Sequence, residues 1–167
     1  MVLTKSELLS SLKKEVSILL HLSSKIDRAQ LDYRPTPKQR STIELLRYLS
    51  IMGPSLVQSA KKGGFDREAW MAAQAKAEAR DFDQTLGVLA GQAADYERLL
   101  GDWTDADFRA EIDMFGSKTT RGAFVVNLVL CGHAAYRTQL FNYLKACGRE
   151  ELGTTNLWAG VDAAAAV

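Results

Sequence analysis

Apolar residues recur at three- and four-residue steps along most of this chain, and the interruptions between them mark out four long amphipathic helices. The first stripe is Leu8, Leu9, Leu12, Val16, Leu19 and Leu20, with Lys13, Lys14 and Glu15 on the other face. It starts behind Thr4 and Glu7, a pair spaced as a capping box, and predicts a helix to about Asp27. The stretch LDYRPTPKQR at 31–40 cannot continue it, because Pro35 and Pro37 fix their own φ and push Arg34 and Thr36 toward extended geometry. A second capping box, Ser41 with Glu44, opens a helix through Ile43, Leu45, Leu46, Leu49, Met52 and Leu56. Pro54 is expected to kink this helix, and Gly63-Gly64 to end it. The alanine-rich segment from Asp66 to Ala79 has a thin apolar face, Trp70 and Met71, and predicts a short helix over one end of the bundle. Asp81 or Asp83 then starts a third long helix, carried by Phe82, Leu86, Leu89, Ala93, Tyr96 and Leu99-Leu100 to Gly101. Its Gly87 and Gly91, four apart, are expected to permit a close helix approach.

The period then changes. Phe108, Ala110, Ile112 and Met114 alternate with charged residues, and Phe115-Gly116-Ser117-Lys118 supplies a turn, so a short hairpin is predicted. The fourth long helix is VVNLVLCGHAAYRTQLFNYLK at 125–145, with Val125, Leu128, Val129, Gly132, Ala135, Tyr136, Gln139, Leu140 and Tyr143 on one face. A histidine, a cysteine and two tyrosines lie in or beside that face. Polar residues on the packed side of a bundle helix are where sites are usually built, because the scaffold fixes their geometry. The tail after Gly148 is expected along the surface with Trp158 tucked into a groove.

Composition narrows the functional classes. The 167 residues suit one domain, 1–167, with a sizeable core. Twenty-one basic and twenty acidic side chains leave a net charge of +1 without a block of either sign, so no electrostatic footprint for nucleic acid or an anionic membrane is present. The charged amphipathic N-terminus does not read as a secretory signal, and no apolar run is long enough to cross a bilayer. Two cysteines, Cys131 and Cys147, without CxxC spacing form neither a disulfide framework nor a thiolate metal knuckle, which points to a reducing, cytoplasmic compartment. Two histidines, His21 and His133, cap the imidazole ligands available. Three-histidine coordination within one chain is therefore impossible. His21, near the end of the first helix, is read as a hydrogen-bonded or partly exposed residue.

The stretches YRPTPKQRSTIELLRYL at 33–49 and YRTQLFNYLKACG at 136–148 resemble the DinB/YfiT-like family of metal-dependent enzymes, and the likeness extends across nearly the whole chain. The resemblance implies an all-α fold, an up-down-down-up four-helix bundle with a short hairpin before the last helix, often as a homodimer. It also implies relatives that include thiol-dependent S-transferases and a maleylpyruvate isomerase. In that family three histidines hold a divalent metal, one from the second helix and two, four residues apart, from the fourth. By motif those positions here are Tyr48, Gly132 and Tyr136, and none is histidine. His133 stands one residue from the first fourth-helix position, a rotation of about 100° around the axis.

The family's metal site is thus expected to be lost, with no metal or other cofactor. A replacement site from His133, His21, Cys131 and an acid is disfavoured, since Cys131 and His133, two apart, face different ways. The same angle weakens a Cys-His nucleophile, and Cys131 is expected as a small buried residue. Tyr48, His133, Tyr136 and Arg137 are the candidates for a ligand pocket between the second and fourth helices. The leading expectation is a small-molecule-binding or regulatory protein. The competing one is a metal-independent or atypically metallated thiol-dependent S-transferase or isomerase, with Tyr48 or Tyr136 donating a proton or orienting a thiol. A third is a structural interaction module with no cavity.

Overall fold

The protein is described here by a computed structural model covering residues 3–164. It is mostly helical. Helix α1 spans Lys5–Ser23, α2 Thr42–Lys62, α3 Arg67–Glu78 and α4 Phe82–Leu100. Both capping boxes read from the sequence form: the Thr4 and Ser41 side chains accept from the backbone of Glu7 and Glu44, whose carboxylates accept from the cap backbone in return. Asp81 and Gln84 make a third at the start of α4, and Asp66 caps α3. Helix α1 ends at Ser23, before the expected Asp27, and the chain turns through a short 3-10 segment at Arg28–Gln30. Helix α2 runs through Pro54 and stops at Gly63, whose φ of 91° lies in the left-handed region.

The hairpin is shorter than the alternation suggested. Thr104 and Asp107 cap a helical turn, α5 (Asp105–Arg109), which takes Phe108 out of the strand. Strands β1 (Glu111–Met114) and β2 (Ser117–Thr120) pair antiparallel, Glu111 opposite Thr120 and Met114 opposite Ser117. Ile112 and Met114 point into the core, and the two-residue turn Phe115-Gly116 takes positive φ at both positions, 57° and 79°.

The last long helix is continuous over 121–146 but not uniform. It starts as α6 (Arg121–Phe124), widens into a π-helical stretch at Val125–Leu130, and continues as α7 (Cys131–Ala146). The Cys131 N–H reaches the Val126 carbonyl, five residues back. Wider turns bring every fourth residue to the same side: Val125, Val129, His133 and Arg137 are all buried. This corrects the face drawn at strict 3.6-residue spacing. Leu128 is 43% exposed, and Ala135 and Cys131, the latter expected in the core, are also on the surface.

Helices α1, α2, α4 and the last helix pack on one another around a shared core in which Leu12, Leu19, Leu46, Leu49, Leu89, Leu100, Val129 and Leu140 are closed off from solvent. Helix α3 packs against α2. Gly87 and Gly91 face open space, so they do not mark a close helix approach. The C-terminal segment forms α8 (Thr154–Ala159) against α1 and α7. Trp158 is 65% exposed, not tucked into a groove, and its ring lies under the Arg137 guanidinium at 4.9 Å.

Candidate ligand pocket beside Tyr48

Tyr48 sits half-buried in the middle of α2, where the i, i+3, i+4 pattern of Leu45, Leu49 and Met52 turns it away from the centre of the core. Tyr136 of α7 meets it edge-on, ring centroids 5.1 Å apart, and Trp70 of α3 closes the other side at 6.0 Å. The two motif positions read from sequence are thus brought into contact. Burial, reinforced by the adjacent Tyr136 side chain, pushes the Tyr48 phenol well above its ordinary range, so it stays protonated at neutral pH. Gly132, one turn before Tyr136, backs onto Met52: a Cβ there would lie 3.3 Å from its sulfur and its methyl carbon.

Arg40 covers one face of the Tyr48 ring. Its guanidinium lies 4.0 Å from the ring centroid, a cation–π contact. The backbone that carries it is held from α7: the Tyr143 hydroxyl donates to the Arg40 carbonyl at 2.9 Å, and Gln139 Nε2 donates to that same hydroxyl at 2.5 Å. Gln139, part of the motif retained near the end of the chain, therefore acts on the site through Tyr143 and Arg40.

Beside this cluster a cavity of about 300 Å³ opens between α2 and α3. Tyr48, Ile51, Trp70 and Ala77 supply its apolar wall, with Arg40, Arg47, Glu44, Gln74 and Glu78 around them. The pocket expected between the second and last helices is corrected accordingly. It is bounded by α2 and α3, Tyr136 supports it from behind Tyr48, and neither His133 nor Arg137 lines it. Periodicity could not place α3 there, because its apolar face is nearly all alanine.

His133 faces the core instead. It is 1% exposed, and its Nε2 lies 2.6 Å from the hydroxyl of Tyr96, a residue of α4 closed off from solvent. Gly53 of α2 makes room for the pair: a Cβ there would come within 1.7 Å of the Tyr96 oxygen. Burial holds the His133 pKa down to about 4, so the ring is neutral at pH 7, and raises that of Tyr96. Arg137 is equally committed. Its Nε donates to Glu15 at 2.5 Å, and its Nη1 donates to the Leu157 carbonyl. Those contacts tie α7 to α1 and α8. His21 Nε2 lies 3.0 Å from Asn156 Nδ2.

A divalent metal does not fit the three motif positions. They offer a protonated phenol at Tyr48, the Tyr136 ring packed edge-on against it, and at Gly132 no side chain at all, with Met52 filling the space. Among the described residues no three His, Cys, Asp or Glu side chains converge as a metal would require. Cys131 is exposed, and Cys147 is shifted upward by burial and by Asp27, opposite to what an activated thiolate needs.

No family model and no curated protein matches this sequence. Among solved structures the chain is similar to the crystal structure of a DinB-like protein, YjoA, from Bacillus subtilis. The two superpose with a TM-score of 0.67 at 18% identity, over 87% of this chain and 95% of that one. The fold is therefore DinB-like. Among the described residues no helix is long and apolar enough to cross a membrane.

Proposed function

We propose that this chain is a DinB-like, up-down-down-up four-helix-bundle protein whose metal-ligand positions have been given over to packing, and that it binds a small molecule in the cavity between α2 and α3. One observation carries the reading. Tyr48, at the ligand position of the second-helix motif, forms with Trp70 the aromatic wall of a cavity of about 300 Å³, at the lower end of the range for small-molecule sites. A fragment screen read residue by residue through backbone amide shifts tests it.

The transferase or isomerase alternative is less well supported. It requires a tyrosine or thiol whose pKa is lowered, whereas Tyr48 and Cys147 are both shifted upward.

The same reading includes a homodimer built on the last helix. Between Gly122 and Leu144 its only Asp, Glu, Lys, Arg or His residues are His133 and Arg137, both buried. The exposed face therefore consists of uncharged residues, among them Leu128, Cys131, Ala135, Thr138 and Asn142. The other long helices all expose charged side chains, such as Lys13, Lys61 and Glu97. A charge-free face meets its own copy across a two-fold axis without like-charge repulsion, and depletion of charge is what distinguishes interface centres.

A further inference from the structure

The geometry points to a planar organic anion, a single-ring aromatic carboxylate, as the class of ligand for the cavity between α2 and α3, an inference that rests on the pocket reading above. The balance of partners decides the sign. Glu44 lines the cavity, but its carboxylate accepts from the Ser41 backbone N–H at 2.7 Å and pairs with Arg34 at 3.3 Å. Glu78, the other acid on the wall, accepts from the neutral amide of Gln74 at 2.9 Å and keeps its charge, so the lining holds one unpaired acid against two arginines. The two arginines of the lining are placed differently. Arg47 spends its Nε and Nη2 on the carbonyl of Arg80, a neutral acceptor, and keeps its full charge uncompensated. Arg40 has no carboxylate partner among the described residues; its guanidinium rests on the Tyr48 ring.

That arrangement leaves the Arg40 guanidinium on the cavity lining without an anionic partner. A guanidinium presents paired N–H donors that match a carboxylate in its own plane, and stacking on an aromatic face fixes that plane in advance. Tyr143, through the Arg40 carbonyl, fixes the backbone beneath it. On the same lining, Tyr48 and Trp70 meet at 63°, and with Ile51 and Ala77 they supply the apolar surface that suits a flat ring. A cationic ligand of the same shape would meet two arginines on the lining against one unpaired acid. A volume of about 300 Å³ limits the occupant to one ring with a short acid arm.

Benzoate, benzamide and benzylamine share one ring and differ in charge, so titrating each into the full-length protein, followed by amide chemical shifts, tests the inference. Benzoate is expected to bind with shifts centred on Tyr48 and Trp70, and the other two to bind at least ~10-fold more weakly. Arg40→Gln is expected to reduce benzoate binding by a similar factor with an unchanged circular dichroism spectrum. Tyr143→Phe is expected to weaken benzoate less than Arg40→Gln does, because it loosens only the support of Arg40. Equal binding of benzamide or benzylamine at the same residues would overturn the anion and leave the pocket standing. Absence of binding by all three would overturn both. Benzoate shifts that persist unchanged in Arg40→Gln would also overturn the assignment.

Discussion

The Tyr96 hydroxyl and His133 Nε2 lie 2.6 Å apart in the middle of the bundle, over a glycine that has no side chain to separate them. Three helices meet at this point: α4 supplies Tyr96, α7 supplies His133, and α2 supplies Gly53. Because the imidazole is neutral and the phenol protonated, the bond is a neutral one, with Tyr96 able to donate to the ring nitrogen.

Gly53→Ala is expected to destabilise the fold by about 1–3 kcal/mol, even though alanine is the better helix former by about 1 kcal/mol. The added carbon would sit 1.7 Å from the Tyr96 oxygen and 3.0 Å from His133 Nε2, so overpacking outweighs propensity. Tyr96→Phe in the same background removes the nearest atom and is expected to recover part of the loss. Urea denaturation of the single and double variants measures both.

Acid should reach this core before it reaches the capping carboxylates. The His133 pKa of about 4 lies below the unfolded value of 6.5, so between those values the unfolded chain binds the extra proton. Stability is therefore full above pH 6.5 and falls as pH drops toward 4, by about 3 kcal/mol at most. Glu7, Glu44 and Asp107, whose pKa values are lowered chiefly by hydrogen bonds at helix starts, lose their contributions below their ordinary carboxylate values. Denaturant midpoints from pH 4 to 7 should show the upper slope in the wild type and not in His133→Gln.

Arg137→Met should release the C-terminal segment. The guanidinium is 4% exposed and its partner Glu15 13%, so removing the cation strands a largely buried carboxylate and the Leu157 carbonyl together. The expected cost is about 3 kcal/mol. Limited proteolysis should find new cleavage between Gly153 and Gly160 in the variant.

Ala135→Glu places a charge in the middle of the neutral face of the last helix. Light scattering should report a dimer for the wild type and a monomer for the variant, with the melting temperature of the subunit little changed. A wild type that is monomeric at its highest soluble concentration would remove the proposed interface.

The order of helices was legible in the sequence because its signals are local. Capping pairs at Thr4 and Ser41, an aspartate start at Asp81 or Asp83, the prolines of the connector and the glycines after α2 act over three or four residues, and one sequence displays them. The motif positions Tyr48 and Tyr136 were also assigned to one neighbourhood, on the strength of resemblance, and their rings meet there. What sequence periodicity missed depends on geometry that propensity does not encode. A π-helical stretch at Val125–Leu130 rotated the last helix, which buried His133 and Arg137 and exposed Cys131. Helix α3 became a wall of the cavity through Trp70 and Ala77, although its apolar stripe is too thin to stand out. The partnership of Tyr96 with His133 crosses 37 residues, and its one local signal, Gly53 in mid-helix, reads equally well as part of the kink expected at Pro54.

The proposed function requires Tyr48 to belong to a ligand pocket between α2 and α3. Its most direct test is a small-fragment screen against the full chain with binders located by backbone amide shifts and by Trp70→Ala. Binders are expected to perturb Tyr48, Ile51, Trp70 and Gln74 together and to lose affinity in Trp70→Ala. Binders that cluster elsewhere, or a screen that finds none at these residues, would contradict it.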